Sequence, residues 1–179
     1  RSLGFFEPVK IEMSEVARPI VPKEWPELTT MTVSYGHGIS VSPLHLLRAI
    51  AAVAGNGSLP HVTLVKDGSK KAAAGTPVLK PETVASVREL LRLVVLHGTG
   101  KSANAPGYDV GGKTGTAEKN TGGVYNANAK VASFVSVFPI SNPRYAVLVM
   151  VDEPKGNKST YGFATGGWVS APVDRKSVV

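Results

Sequence analysis

The densest chemistry in this chain is Gly111-Gly112-Lys113-Thr114-Gly115-Thr116, one lysine and two hydroxyls among three glycines. Two mechanisms use such a set. In a P-loop, Gly107, four intervening residues and Gly112-Lys113-Thr114 would wrap a nucleotide's phosphates in backbone N–H groups. Lys113 would reach the outer phosphates and Thr114 would bind magnesium. Ala146 to Val151, followed by Asp152-Glu153, imitates the accompanying Walker B strand. In a Lys-Thr-Gly strand of a serine acyltransferase, the lysine stands instead on an exposed strand beside a serine nucleophile. Alternation then sends Thr114 and Thr116 to one side, and Lys113 and Gly115 to the other. The two hydroxyls bind a terminal carboxylate, Lys113 adds positive field, and the Thr116 N–H points at a developing oxyanion. Gly115 leaves room for an acyl peptide lying against the strand as an added edge. Lys113 and Thr116 are thus the candidate catalytic residues, and Thr114, Gly115 and Thr116 the candidate substrate-binding set.

Context favours the strand. A P-loop follows an apolar strand and opens a helix, whose N-terminus makes the site electropositive. Here Lys101 to Pro106 is polar. After Thr114 come Gly115, Asn120, Gly122 and Gly123, with no helical apolar face. Three strands are predicted around the motif: Tyr108–Thr116, Lys130–Phe138 and Tyr145–Val151. The turn Pro139-Ile140-Ser141-Asn142-Pro143 joins the last two as an antiparallel hairpin. Val131, Val135 and Val137 alternate with Phe134 and Phe138, so the sheet is apolar on both faces and needs cover on both. Two helices precede it and do not readily cover both. Ser42-Pro43 starts the first, which runs from Leu44 to about Ala54, with His45 and Arg48 as its polar stripe and Gly55-Asn56-Gly57 at its end. Pro81 starts the second, where Val84, Val87, Leu91 and Val94 recur at helical spacing up to His97-Gly98. His61–Lys66 reads as a short strand and Asp67-Gly68 as a turn. Residues 1–30, with Pro8, Pro19, Pro22 and Pro26, read as an irregular surface segment.

The 179 residues suit one domain or part of a larger one, with 42% hydrophobic and 18% charged residues. The absence of cysteine excludes disulfides, thiolate metal sites and cysteine nucleophiles. Residues 1–30 carry four basic and five acidic side chains, and the rest carry sixteen and eight, within a net charge of +7. That basic body favours anionic partners such as carboxylates. No block of Arg and Lys is interleaved with aromatics, so nucleic acid is not expected. His37, His45, His61 and His97 show no metal-ligand spacing and read as capping, packing or exposed groups. Trp25 and Trp168 read as packing residues, Lys119 and Lys130 as possible borders of a substrate groove, and Asp152-Glu153 as turn chemistry.

Gly36-His37-Gly38-Ile39-Ser40-Val41-Ser42-Pro43, Ala52 to Gly57, Gly98-Thr99-Gly100, and Gly111 to Lys119 stand in the order and spacing found in class B penicillin-binding proteins. Asp152-Glu153-Pro154, Tyr161-Gly162 and Ala171-Pro172 complete a resemblance that spans nearly the whole chain. It is strongest to the division-type D,D-transpeptidases that cross-link septal peptidoglycan; His37 departs from the commoner Gln. The resemblance implies an α+β fold of the penicillin-binding-protein/β-lactamase type, an antiparallel sheet flanked by helices. It implies no cofactor or metal, stem peptides as substrates, β-lactams as covalent inhibitors, and divisome membrane proteins as partners. The implied location is the periplasmic face of the bacterial inner membrane, through an anchor upstream of Arg1. No serine here begins the family's Ser-x-x-Lys. Ser102-Ala103-Asn104 stands in the wrong order for its Ser-x-Asn loop and reads as coincidence. The expectation is therefore that residues 1–173 are the C-terminal portion of a transpeptidase domain whose nucleophile lies upstream. Residues 174–179 abandon apolar periodicity and match a translated sequencing adapter, so they are expected to be a non-native tail.

Overall fold

In the computed structural model, residues 1–66, 75–122 and 124–179 are described. The element order is α1 (Glu27–Ser34), α2 (Pro43–Ala54), β1 (Ser58–Leu59), β2 (Thr76–Pro77), α3 (Pro81–Leu96), β3 (Gly111–Thr121), β4 (Val124–Phe138), β5 (Tyr145–Asp152), α4 (Gly166–Val169) and α5 (Ala171–Val178). The strands β3, β4 and β5 form an antiparallel sheet in that order, which leaves β3 at an edge. This is the α+β arrangement expected.

Helix α2 begins where Ser42-Pro43 predicts. Its two polar residues, however, are turned inward. His45 is buried, its Nδ1 accepts the Ser42 N–H at 3.3 Å, and its Nε2 lies 2.9 Å from the Glu7 carbonyl oxygen. Arg48 donates to the Pro60 carbonyl at 2.7 Å. The stripe thus ties α2 to the first residues of the chain and to the segment that follows it. Helix α3 buries Val84, Leu91 and Val95, at the spacing of one helical face. Its Arg88 reaches across to the last carbonyls of α2, those of Ala54 and Gly55.

Three local expectations fail. Residues 61–66 form no strand; the short pairing is Ser58–Leu59 with Thr76–Pro77, and the expected Asp67-Gly68 turn lies outside the described residues. Thr63 and the Leu64 N–H instead hold the Glu12 carboxylate, an alternative use of those donors. The segment 1–30 is not irregular throughout, because Pro26 stands at the entrance of α1, where a missing N–H costs nothing. The central hairpin is also longer than predicted at its far end. Glu118, Lys119, Asn120 and Asn126 are polar and carry no periodicity, yet they extend the β3–β4 ladder beyond a register shift between Glu118 and Lys119.

The core lies on both faces of the sheet. On one face, Phe134 and Val110 pack with Val95, Ala103, Ala105, Ala171 and Val178. On the other, Val137 and Ile140 pack with Ala54 and Leu91. The cover that α2 and α3 could not complete comes from α5 and from a 3₁₀ turn at Lys101–Ala103. Helix α5 continues past Val173: Ala171, Asp174 and Val178 form its buried face. An acidic residue at the middle of that face hides the helical spacing from a reading based on apolar residues.

Candidate functional site

Strand β3 carries the Lys-Thr-Gly element. Register pairs Lys113 with Val135, Thr114 with Phe134, Gly115 with Ser133 and Thr116 with Ala132. Glycine is required beside the motif. A Cβ on Gly112 would lie 2.6 Å from the Phe134 ring, so the strand can rest directly on that fully buried side chain. At Gly115 a Cβ would lie 2.5 Å from the Ser133 hydroxyl, so the missing side chain first of all accommodates the neighbouring strand.

The two threonine hydroxyls are anchored from outside the strand. Thr114 Oγ1 lies 2.8 Å from Thr99 Oγ1, and Thr116 Oγ1 accepts the Gly166 N–H at 3.1 Å. Together they border a cavity of about 470 Å³ that is also lined by Thr99, Lys101, Ser102 and Trp168. Lys113 does not line this cavity. It projects to the other face, is exposed, and its Nζ donates to the Thr114 carbonyl at 2.9 Å. The structure therefore brings Thr114 and Thr116 together and puts Lys113 on the opposite side of the same edge strand.

Thr99, Lys101, Ser102, Gly166 and Trp168 were not among the expected site residues. Ser102, whose Ser-x-Asn string reads as coincidence in the sequence, lines the cavity. Trp168 is packed between neighbours: Phe163 stacks on it at 5.6 Å and Tyr161 meets it edge-on at 5.7 Å. Trp25 packs against Phe6. Lys119 is held by Glu153 at 2.9 Å and Asp152 at 3.1 Å, and these bonds raise its pKa, Glu153 foremost. Asp152 and Glu153 thus serve an ion pair at the end of the sheet. Among the described residues, no three His, Asp or Glu side chains gather to hold a metal ion.

The P-loop alternative fails on this geometry. Gly112, Lys113 and Thr114 lie inside an antiparallel strand that runs on to Thr121 instead of opening a helix. Without a helix N-terminus there is no phosphate cradle.

Comparison with known proteins agrees. The family model described as the penicillin binding protein transpeptidase domain matches residues 1–173. The chain belongs to the penicillin-binding protein transpeptidase family. A probable peptidoglycan D,D-transpeptidase FtsI of Caulobacter vibrioides is 41% identical over 96% of this chain and 31% of its own length. The transpeptidase domain of penicillin-binding protein 3 from Burkholderia pseudomallei superposes with a TM-score of 0.85 at 40% identity, over 97% of this chain and 52% of that one. Penicillin-binding protein 3 of Mycobacterium tuberculosis, in complex with aztreonam, superposes with a TM-score of 0.83 at 26% identity, over 98% of this chain and 42% of that one. This transpeptidase segment thus spans about a third of the Caulobacter relative and about half of the Burkholderia domain.

Proposed function

We propose that the whole protein is a peptidoglycan D,D-transpeptidase, and that this segment supplies the carboxylate-binding edge of its active site. The observation that carries the reading is the edge strand β3, with the Thr114 and Thr116 hydroxyls anchored over one cavity. A serine outside residues 1–179 attacks the carbonyl of a D-Ala–D-Ala bond. Its proton is taken up by a neighbouring base, the terminal D-Ala leaves as the amine, and an acyl-enzyme remains. An amine of a second stem peptide then attacks the ester and regenerates the serine. In this scheme Thr114 and Thr116 bind the donor's terminal carboxylate, and the Thr116 N–H stabilises the oxyanion. Lys113, on the other face, supplies positive field toward the serine, and Gly115 gives clearance.

β-Lactams present the same carboxylate and acyl carbonyl, so they acylate the same serine. The Mycobacterium relative is also solved in complex with ampicillin, a β-lactam that carries this carboxylate, which supports the reading. Divisome membrane proteins are the proposed partners, and the periplasmic face of the inner membrane is the proposed location. No helix among the described residues is long and apolar enough to cross a membrane, so an anchor would come from elsewhere in the whole protein. The proposed division of the chain places the transpeptidase portion at residues 1–173 and a non-native tail at 174–179. The test is fluorescent-penicillin labelling of the full-length protein. A covalent label that unlabelled penicillin competes away is expected; absence of any label would sink the reading.

A further inference from the structure

The cavity beside β3 contains a set of hydrogen bonds whose direction matters. A threonine hydroxyl has one proton to give and two lone pairs to receive with. Thr116 Oγ1 spends a lone pair on the Gly166 N–H, so its proton stays uncommitted and available to a ligand. Thr114 Oγ1 meets the hydroxyl of Thr99 at 2.8 Å. If Thr99 donates in that contact, the Thr114 proton is released in the same way. Both motif hydroxyls then act as donors on one face of the strand, from residues about 7 Å apart along it. That spacing suits the two oxygens of a carboxylate held by short charge-assisted bonds.

Thr99 is held where it can do this. The Gly98 N–H closes the end of α3 on the carbonyls of Leu93 and Val94, at 3.2 and 3.0 Å, and the Gly100 N–H bonds to Val94 at 3.1 Å. Gly100 is buried against Phe134, where a Cβ would come within 3.1 Å of the ring. Gly167 lies over the Thr99 carbonyl, and a Cβ on it would come within 2.4 Å of that oxygen. The backbone of Thr99 is therefore clamped between a helix end and the start of α4, while its side chain stays exposed at the cavity.

We infer that Thr99 is a positioning residue for the acyl donor's carboxylate: it fixes the Thr114 hydroxyl as a donor toward the cavity. The inference rests on the transpeptidase reading above and deepens it. It is tested on the full-length protein by comparing acylation rates for a penicillin with its free carboxylate and for the methyl ester of the same penicillin. The wild type should prefer the acid. Thr99→Val should slow the acid about tenfold and the ester little, as expected for one hydrogen bond to a charged group. Thr99→Ser, which keeps the hydroxyl, should restore the preference. Thr99→Ala replaces Thr99→Val if the latter lowers the melting temperature. An equal loss on acid and ester, or no loss at all, would overturn the role of Thr99 alone. A wild type that reacts with neither form would overturn the transpeptidase reading and this inference with it.

Discussion

Ser136 on β4 donates a 2.8 Å hydrogen bond to Asp174 on α5, and both residues have no solvent exposure. The second carboxylate oxygen of Asp174 has no partner, and neither does the nearby Ser170 hydroxyl. A carboxylate in such a place is disfavoured, since its charge has left water without gaining a counter-charge. Desolvation raises the pKa of Asp174 from 3.8 to about 6, against the opposing effect of the Ser136 hydrogen bond.

The consequence is a pH-dependent stability. The folded state holds the Asp174 proton more tightly than the unfolded chain does. Its contribution is therefore fully present below about pH 4 and lost as the pH rises through about 6. The loss is at most about 3 kcal/mol. Asp174→Asn keeps an acceptor for Ser136 and removes the titration. Urea denaturation at pH 4 and pH 7 of a protein that ends in residues 1–179 as they stand here, Asp174 included, should show the variant gaining on the unsubstituted chain only at the higher pH. A gain of the same size at both would show that the carboxyl does not titrate in this window.

Lys113 is exposed, and its Nζ donates to the carbonyl of its own neighbour, Thr114. Its removal should leave the fold intact and damage the chemistry. Lys113→Met is expected to cut the penicillin acylation rate by about a hundredfold, the scale for one lost electrostatic stabiliser. The melting temperature should not change. Acylation at the wild-type rate would remove Lys113 from the site.

Gly112→Ala should be destabilising, because the new methyl would meet the Phe134 ring at 2.6 Å and the Val135 carbonyl at 2.5 Å. Both belong to the sheet beneath the motif and cannot give way cheaply. The cost should be about 1–3 kcal/mol, read from denaturant midpoints. A neutral result would mean that β3 does not rest on Phe134.

Arg88 joins the two helices on the Val137 face by donating to the end of α2, with its Nε 2.6 Å from the Ala54 carbonyl. Arg88→Met keeps most of the aliphatic stem but leaves the carbonyls of Ala54 and Gly55 without this donor. A loss of about 1–3 kcal/mol is expected. Hydrogen exchange should quicken first at the C-terminal turn of α2. Unchanged protection there would count against the cap.

Much of this molecule was legible in one dimension. Helices α2 and α3 follow from Ser-Pro and Pro starts, helical spacing and glycine ends, all of them properties of a few neighbouring residues. The hairpin of β4 and β5 follows from alternation and a proline-bounded turn. Lys113, Thr114 and Thr116 were visible because their order along a strand is itself the motif. The pairing of Glu118, Lys119, Asn120 and Asn126 is not legible in one dimension, because paired polar residues at an exposed strand end show no burial pattern.

Local order therefore determined which elements form and which strand carries the reactive side chains. Tertiary structure alone decided what those side chains meet. Thr99 stands 15 residues from Thr114, and Gly166 stands 50 residues from Thr116. Asp174 reaches Ser136 across 38. A hydroxyl's donor direction and a carboxyl's pKa depend on the few ångströms around one atom, and folding fills that space with residues remote in the chain.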